Sequence, residues 1–94
     1  MEYVTVTDML DLHGTPIKII PEMIEAFIEN AVELQLSRVQ IIHGKGKSRL
    51  KYLTRQLLNE NTRVITYYDA HPKFGGWGRT VVELDVTMNN SRDT

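Results

Sequence analysis

Two histidine-containing segments carry the side chains in this sequence that could do proton or phosphate chemistry. Asp11 and His13 stand two residues apart, immediately before Gly14. His43 opens the second segment, which continues as a glycine-spaced basic turn over residues 44–48. An imidazole exchanges protons near neutral pH, and a nearby carboxylate can orient it, bind a divalent cation or position a nucleophile. The residue types therefore point to acid–base chemistry beside an anion site.

The turn after the second histidine has the composition of that anion site. Gly44 and Gly46 permit close backbone approach or positive φ, and Lys45 and Lys47 add full charges. A helix predicted from Arg49 onward would aim unpaired N–H groups and the positive end of its dipole at the same point. The spacing matches neither a triphosphate-binding loop nor a dinucleotide fingerprint. A surface turn with solvated lysines is therefore the alternative.

Each of the three ionisable residues also has a purely structural interpretation. Asp11 could cap a neighbouring turn, His13 could bond to turn backbone, and His43 could fix its loop across the end of a sheet. As functional groups, His13 would be an acid or base, and His43 a second such group or a phosphate donor. Asp11 and the histidines do not have a recognised zinc spacing. If a metal takes part, Mg²⁺ or Mn²⁺ bridging Asp11 and a substrate phosphate fits better than a structural zinc.

The charges are strongly segregated along the chain, although the net charge is −1. Residues 1–36 hold seven acids and one base, whereas residues 37–79 hold nine bases and two acids. This asymmetry predicts a negatively charged partner for one side of the molecule, and nucleic acid is such a partner. The 94 residues predict one domain, without cysteine and without an apolar run of membrane-spanning length. We therefore expect a cytoplasmic protein with no membrane partner.

The hydrophobic pattern predicts alternating strands and helices that would bring the two segments together. Strands are predicted over residues 9–12, 39–42, 64–68 and 80–86, with helices over residues 21–34 and 49–59. The glutamates of the first helix would form its solvated face, and Lys51 and Arg55 would share the outer face of the second. Consecutive parallel strands need helical crossovers, which gives a two-layer α/β sandwich. Because parallel strands end at one edge, His13 and His43 should lie together there.

Three blocks of this sequence carry a resemblance to a known family. Residues 10–14 (LDLHG) resemble the signature of the Smr (small MutS-related) domain, and residues 41–46 (IIHGKG) resemble its second, glycine-rich block. Residues 75–84 (GGWGRTVVEL) are similar to its third block, GGxGxTxVxL. The resemblance implies a βαβαββ sandwich like the C-terminal domain of translation initiation factor three. Its mixed four-stranded sheet would have strand 4 antiparallel to the rest. The domain would span residues 9–88, between an N-terminal arm (1–8) and a flexible tail (89–94).

The resemblance also implies a function and a set of site residues. Members of this family bind nucleic acid, and several are endonucleases that nick DNA or cleave mRNA on stalled ribosomes. Asp11 and His13 occupy the positions held responsible for cleavage, and His43 is a further catalytic candidate. The implied substrate-binding residues are Gly14, Gly44, Lys45, Gly46, Lys47, Arg49, Gly76, Trp77, Gly78 and Arg79. The alternative is a module that binds DNA, RNA or a ribosomal surface without catalysis.

Two departures from the family pattern modify the expectation. Many relatives have a further glycine where this chain has Lys47 and Ser48, and Arg79 replaces the usual small residue of the third block. Both changes add positive charge or stiffness around an anion. Trp77 would either stack on an unpaired base or cover the core.

Overall fold

The computed structural model describes residues 8–44, 48–74 and 76–87. The helices and strands are β1 (Met9–Asp11), α1 (Ile20–Glu33), β2 (Arg38–Ile42), α2 (Ser48–Glu60), β3 (Val64–Asp69) and β4 (Arg79–Leu84). Short 3-10 turns cover Ile17–Ile19, Pro72–Phe74 and Gly76–Gly78. The predicted tail and all but the last residue of the predicted arm lie outside the described residues, as do Lys45, Gly46, Lys47 and Gly75.

The four strands form one mixed sheet in the order β1-β2-β4-β3. β1 is parallel to β2, whereas β4 is antiparallel to both β2 and β3. The predicted two-layer βαβαββ sandwich, with strand 4 reversed, is therefore confirmed. The likeness to the C-terminal domain of translation initiation factor three stays a prediction.

The core lies between both helices and one face of the sheet. Leu12, Ile41 and Val82 contribute from the sheet side and are at most 1% exposed. Ile24 and Ile28 face them from α1, at the four-residue spacing of an amphipathic helix. Burying each such aliphatic side chain contributes about 1.5–3 kcal/mol. This packing fixes the register that sends Leu12 inward and Asp11 outward, as the alternation in β1 predicts.

Helix α1 has recognisable start and stop signals. Pro21 lies in its first turn, where a missing N–H removes no helical hydrogen bond. Its end is a Schellman-type cap, in which the N–H of Leu36 donates to the carbonyl of Ala31 at 2.8 Å and that of Gln35 to Val32 at 3.0 Å. Gln35 adopts φ +62°, a conformation usually given to glycine. The sharp stop directs the chain straight into β2.

The two faces and two ends of the sheet differ in character. No helix covers the second face within the described residues, and its side chains include Gln40, Arg79 and Tyr68. At the end of the sheet opposite the candidate site, the groove between α1 and α2 is lined by four glutamates: Glu25, Glu29, Glu33 and Glu60. The three from α1 are exposed, which confirms the predicted solvated acidic face. Such a groove repels a polyanion, so nucleic acid should bind elsewhere. No helix in the described part of the chain is long and apolar enough to cross a membrane.

Candidate active site at the end of the sheet

Main-chain hydrogen bonds join the three sequence blocks at the carboxyl ends of β1 and β2. The N–H of Leu12 donates to the carbonyl of Ile42 at 2.9 Å, which ties the first block to the second. The N–H groups of His43 and Gly44 both donate to the carbonyl of Gly78, at 3.1 and 2.9 Å, which ties the second block to the third. These backbone bonds bring the three blocks together at one end of the sheet.

The first block forms a capped turn at the protein surface. The Oδ1 atom of Asp11 accepts a hydrogen bond from the backbone N–H of His13 at 2.9 Å, and Gly14 completes the turn at φ +75°. The carboxylate thus contacts the main chain of His13 and not its ring. Asp11 and His13 are both exposed, and the imidazole has no hydrogen-bond partner within the described residues. A substrate can therefore approach the ring directly.

His43 is placed quite differently, since its side chain is buried. Its Nδ1 lies 3.3 Å from the carbonyl oxygen of Gly44, and its Nε2 lies 2.8 Å from the hydroxyl oxygen of Thr80. A carbonyl can only accept, so the contact assigns the proton to Nδ1 and leaves Nε2 as an acceptor for the hydroxyl of Thr80. Both ring nitrogens are then occupied within the protein. This favours a role in holding the loop in place.

A cluster of charged side chains extends from Thr80. The Nη2 of Arg55 donates to the Thr80 oxygen at 3.3 Å and to the Oδ1 of Asp69 at 2.7 Å. Lys51 contacts the same carboxylate oxygen at 2.9 Å. The ring of Tyr67 lies 5.0 Å from the guanidinium carbon, in cation–π geometry. Arg55 is therefore fixed in position between β3 and β4.

The cluster corrects the prediction that Lys51 and Arg55 share a solvent-facing side of α2. Their side chains are 18% and 27% exposed and turn toward Asp69, the last residue of β3. The four-residue spacing correctly predicted that both side chains lie on the same side of α2, but that side faces the end of the sheet and not the solvent. Sequence reasoning assigned no role to Thr80 or Asp69. Two features of the sequence could have indicated the cluster: the bases Lys51 and Arg55 at four-residue spacing in α2, and Asp69 at the end of β3.

The electrostatic surroundings shift two pKa values in this cluster. Burial lowers the pKa of His43, and the positive charges of Lys51 and Arg55 lower it further against the opposing hydrogen bond with Gly44 and the charge of Asp69. The hydrogen bond from Lys51 is the main cause that lowers the pKa of Asp69, with Arg55 adding to it. His43 is therefore neutral, and Asp69 ionised, at neutral pH.

The other predicted binding residues surround this end of the sheet to different extents. Gly44 and Gly76 both adopt positive φ, at +84° and +54°. Arg49 is exposed in the first turn of α2, directly after the basic turn. The backbone of Trp77 belongs to the 3-10 turn that precedes β4, and its side chain lies outside the described part of the structure.

Arg79 is held on the helix-free face of the sheet. Its Nη1 donates to the Oε1 of Gln40 at 2.9 Å, and the predicted charge in the third block is thus fixed beside β2. The Nε atom of Arg79 is buried and has no acceptor within the described residues.

The described residues contain no cluster of three His, Cys, Asp or Glu side chains that could hold a metal ion. A carboxylate shared with a substrate phosphate is a common way to bind Mg²⁺, because this ion keeps several of its waters. Asp11 would be the residue that holds such an ion here, and its Oδ2 has no partner within the described residues.

Comparison with known proteins adds to this geometry. A family model for the Smr domain matches residues 10–85, which include all three blocks. The chain belongs to the Smr domain family. The Smr domain here is 40% identical over 78 residues to Endonuclease MutS2 of Aquifex aeolicus, and 36% identical over 75 residues to that of Thermus thermophilus. The matches cover 83% and 80% of this chain but a tenth of each relative.

Two solved Smr structures share the fold. The crystal structure of the Smr domain of Thermus thermophilus MutS2 superimposes with a TM-score of 0.78 at 35% identity, covering 84% of this chain and 98% of that one. The stand-alone small MutS-related protein YdaL of Escherichia coli gives a TM-score of 0.76 at 31% identity, covering 82% of this chain and 63% of that one. Both comparisons show that this chain has the Smr fold.

Proposed function

We propose that this Smr domain binds a nucleic acid backbone at the carboxyl end of its sheet and cleaves a phosphodiester bond there. The observation that carries the proposal is the contrast between the two histidines. His13 is exposed with an unoccupied ring, whereas His43 is buried with both nitrogens engaged. An exposed imidazole beside a fixed glycine turn can exchange protons with a bound phosphodiester. The similarity to proteins named Endonuclease MutS2 supports the same reaction class.

In this proposal the three ionisable residues have separate roles. The His13 ring accepts the proton of the attacking oxygen, which belongs to water or to a 2′-hydroxyl. The new P–O bond forms as the bond to the leaving oxygen breaks, and the leaving oxygen regains a proton from the imidazolium or from water. Asp11 fixes the turn that presents His13, or holds a cation against the phosphate. We propose His43 as a positioning residue, because its burial removes its ring from the substrate.

The binding part of the proposal depends on the turn between β2 and α2. At the start of α2, unpaired backbone N–H groups and the helix dipole would attract a phosphate, and Gly44, whose own N–H is bonded to Gly78, would leave open space for it. Lys45, Gly46, Lys47 and Arg49 would contact the backbone around them, which gives affinity without choice of sequence. The Lys45→Glu, Lys47→Glu double change should weaken binding and flatten its salt dependence. Unchanged binding by this variant would remove the turn from the interface.

The decisive experiment follows cleavage of matched DNA and RNA strands, with and without chelator, and identifies the ends of any product. A 2′,3′-cyclic phosphate would indicate attack by the 2′-hydroxyl, and a linear phosphate would indicate hydrolysis. His13→Ala should reduce cleavage at least 100-fold while changing the Kd for the strand less than about threefold. His71→Ala, at an exposed histidine outside the three sequence blocks, is the control and should cleave normally. Undiminished cleavage by His13→Ala would refute the assignment.

A pair of substitutions separates the two roles of Asp11. Asp11→Asn keeps an oxygen that can accept the N–H of His13, so the turn survives but the charge is lost. Asp11→Ala removes both. If the carboxylate acts on the substrate, both variants lose cleavage; if it only caps the turn, Asp11→Asn stays active. Binding should survive in both variants.

The capped turn also supports a second candidate function, a non-catalytic module for DNA, RNA or a ribosomal surface. In that case Asp11 has a structural role alone, as its bond to the backbone of His13 permits. Wild-type protein would then bind strands with steep salt dependence, yet yield no product with Mg²⁺ or Mn²⁺. Cleavage by the wild type, lost in His13→Ala, would exclude this function.

A further inference from the structure

The helix-free face of the sheet continues the candidate site across three strands. Asp11 of β1 is paired with Ile42 of β2, which is paired in turn with Arg79 of β4. Paired residues project to the same side, so these three side chains form one row. Two strand spacings place the backbone of Arg79 about 10 Å from that of Asp11. This face therefore lies directly beside the Asp11 carboxylate.

Arg79 supplies a fixed positive charge on that face. Gln40 holds its guanidinium at 2.9 Å, but an amide does not neutralise a cation. No carboxylate pairs with Arg79 within the described residues, and its buried Nε lacks an acceptor there. Arg38 on the same face differs, because Glu83 neutralises it at 3.0 Å. A guanidinium that is oriented and left charged is suited to binding a phosphate.

Tyr68 offers an aromatic surface one strand further along. It is paired with Val81 and shares its face, and the residue is 42% exposed. Its hydroxyl donates to the Oε2 of Glu83 at 2.7 Å, which holds the edge of the ring. A ring fixed in this way next to an aliphatic side chain can stack on a nucleobase. Bases inside a duplex already stack on each other, so an unpaired base fits this position.

We propose that this face is a platform for single-stranded nucleic acid, with Arg79 binding a phosphate and Tyr68 stacking on an unpaired base. The strand would run across the sheet from Asp11 toward β3, over about 14 Å or three strand spacings. This inference rests on the proposed function and adds the path and strandedness of the substrate. We assign a polynucleotide to this face for two reasons. The face adjoins the candidate cleavage site, and no described carboxylate neutralises Arg79 on it.

The test measures binding of a fluorescent single strand and its matched duplex to the full 94-residue chain by anisotropy. Tyr68→Ala should weaken binding of the single strand about five- to 100-fold, whereas Tyr68→Phe keeps the ring, loses only the hydrogen bond that orients it, and should bind more tightly than Tyr68→Ala does. Tyr52→Ala is the matched control, because this tyrosine of α2 is 66% exposed in the helical layer. Arg79→Gln should lower the slope of log K against log salt by about 0.7, the value for one phosphate of a single strand. Thermal melts confirm that each variant is folded.

The outcomes separate this inference from the proposed function. If Tyr68→Ala and Arg79→Gln bind within twofold of the wild type while the Lys45→Glu, Lys47→Glu variant loses binding, the platform is refuted and the proposed function stands. Duplex bound as tightly as single strand also refutes it. Wild-type protein that binds neither probe refutes both proposals.

Discussion

The hydroxyl of Thr80 links the buried histidine to the charged cluster, and its removal gives a measurable loss of stability. Thr80→Val keeps the β-branched shape in β4 but deletes the donor to His43 Nε2 and the acceptor for Arg55. A buried polar atom left without its partner costs about 1–3 kcal/mol in the free energy of unfolding. A central value of about 2 kcal/mol lowers the Tm of a domain of this size by roughly 8–16 °C.

Thermal and urea unfolding of three variants would check this magnitude. Thr66→Val makes the same change at an exposed strand position and should alter the free energy of unfolding by less than about 0.5 kcal/mol. Thr80→Ser keeps the hydroxyl and should lose about the 1 kcal/mol expected for a buried methyl group. If Thr80→Val melts within 2 °C of the wild type, or no lower than Thr66→Val, the hydrogen bond to His43 is not holding the site together.

Three further predictions concern the same end of the sheet. Because folding lowers the pKa of His43, the folded state binds fewer protons than the unfolded chain at mildly acidic pH. The free energy of unfolding is therefore highest, as far as His43 is concerned, above about pH 6.5, and it falls as the pH drops below that value. The free energy of unfolding, measured by chemical denaturation between pH 7.5 and 5.5, should thus fall by at most about 1.4 kcal/mol per pH unit. This slope should be absent in His43→Phe. Gly44→Ala adds a Cβ that meets no other atom, but at φ +84° the backbone conformation itself is unfavourable for alanine. Chemical unfolding should therefore show a loss of about 1–2 kcal/mol in the free energy of unfolding, and a smaller loss for Gly44→Asn, because asparagine tolerates this conformation better. Asp69→Asn removes one negative charge from the cluster and should therefore tighten nucleic acid binding at low salt; weaker binding in a gel shift would show that Lys51 and Arg55 serve only the fold.

Much of the fold could be predicted because local pattern and tertiary packing agree. The alternation of Leu10 and Leu12 about Asp11, and the apolar stripe of α1, placed these elements close to their observed bounds. The meeting of the first two blocks followed from parallel strands ending at one edge. Predicted and observed structure differ mainly at long side chains such as Lys51 and Arg55, which contact a residue distant in the sequence where solvent exposure was predicted.

The site shows the limit of such predictions more clearly. Nothing local to His43 indicates burial, since its partner Thr80 lies 37 residues away in the sequence. Spacing along β1 allows Asp11 to reach the ring of His13, yet the carboxylate takes the nearer backbone N–H. Arg55 turns to Asp69 because a carboxylate at a strand end outweighs full hydration of the helix face. Each of these choices depends on contacts made after the chain has folded.

The position of β1 has a consequence for how the site is maintained. This strand contributes three residues at one edge of the sheet, and among the described strands only β2 is paired with it. A short edge strand can detach in a local opening that leaves β2, β4 and β3 paired, with a free energy well below that of global unfolding. Asp11 and His13 would then separate from the Gly44 turn while the rest of the domain stays native. The site would thus exchange between a state with β1 paired to β2 and a state with β1 detached. The apparent affinity for a substrate would scale with the fraction of molecules in the paired state.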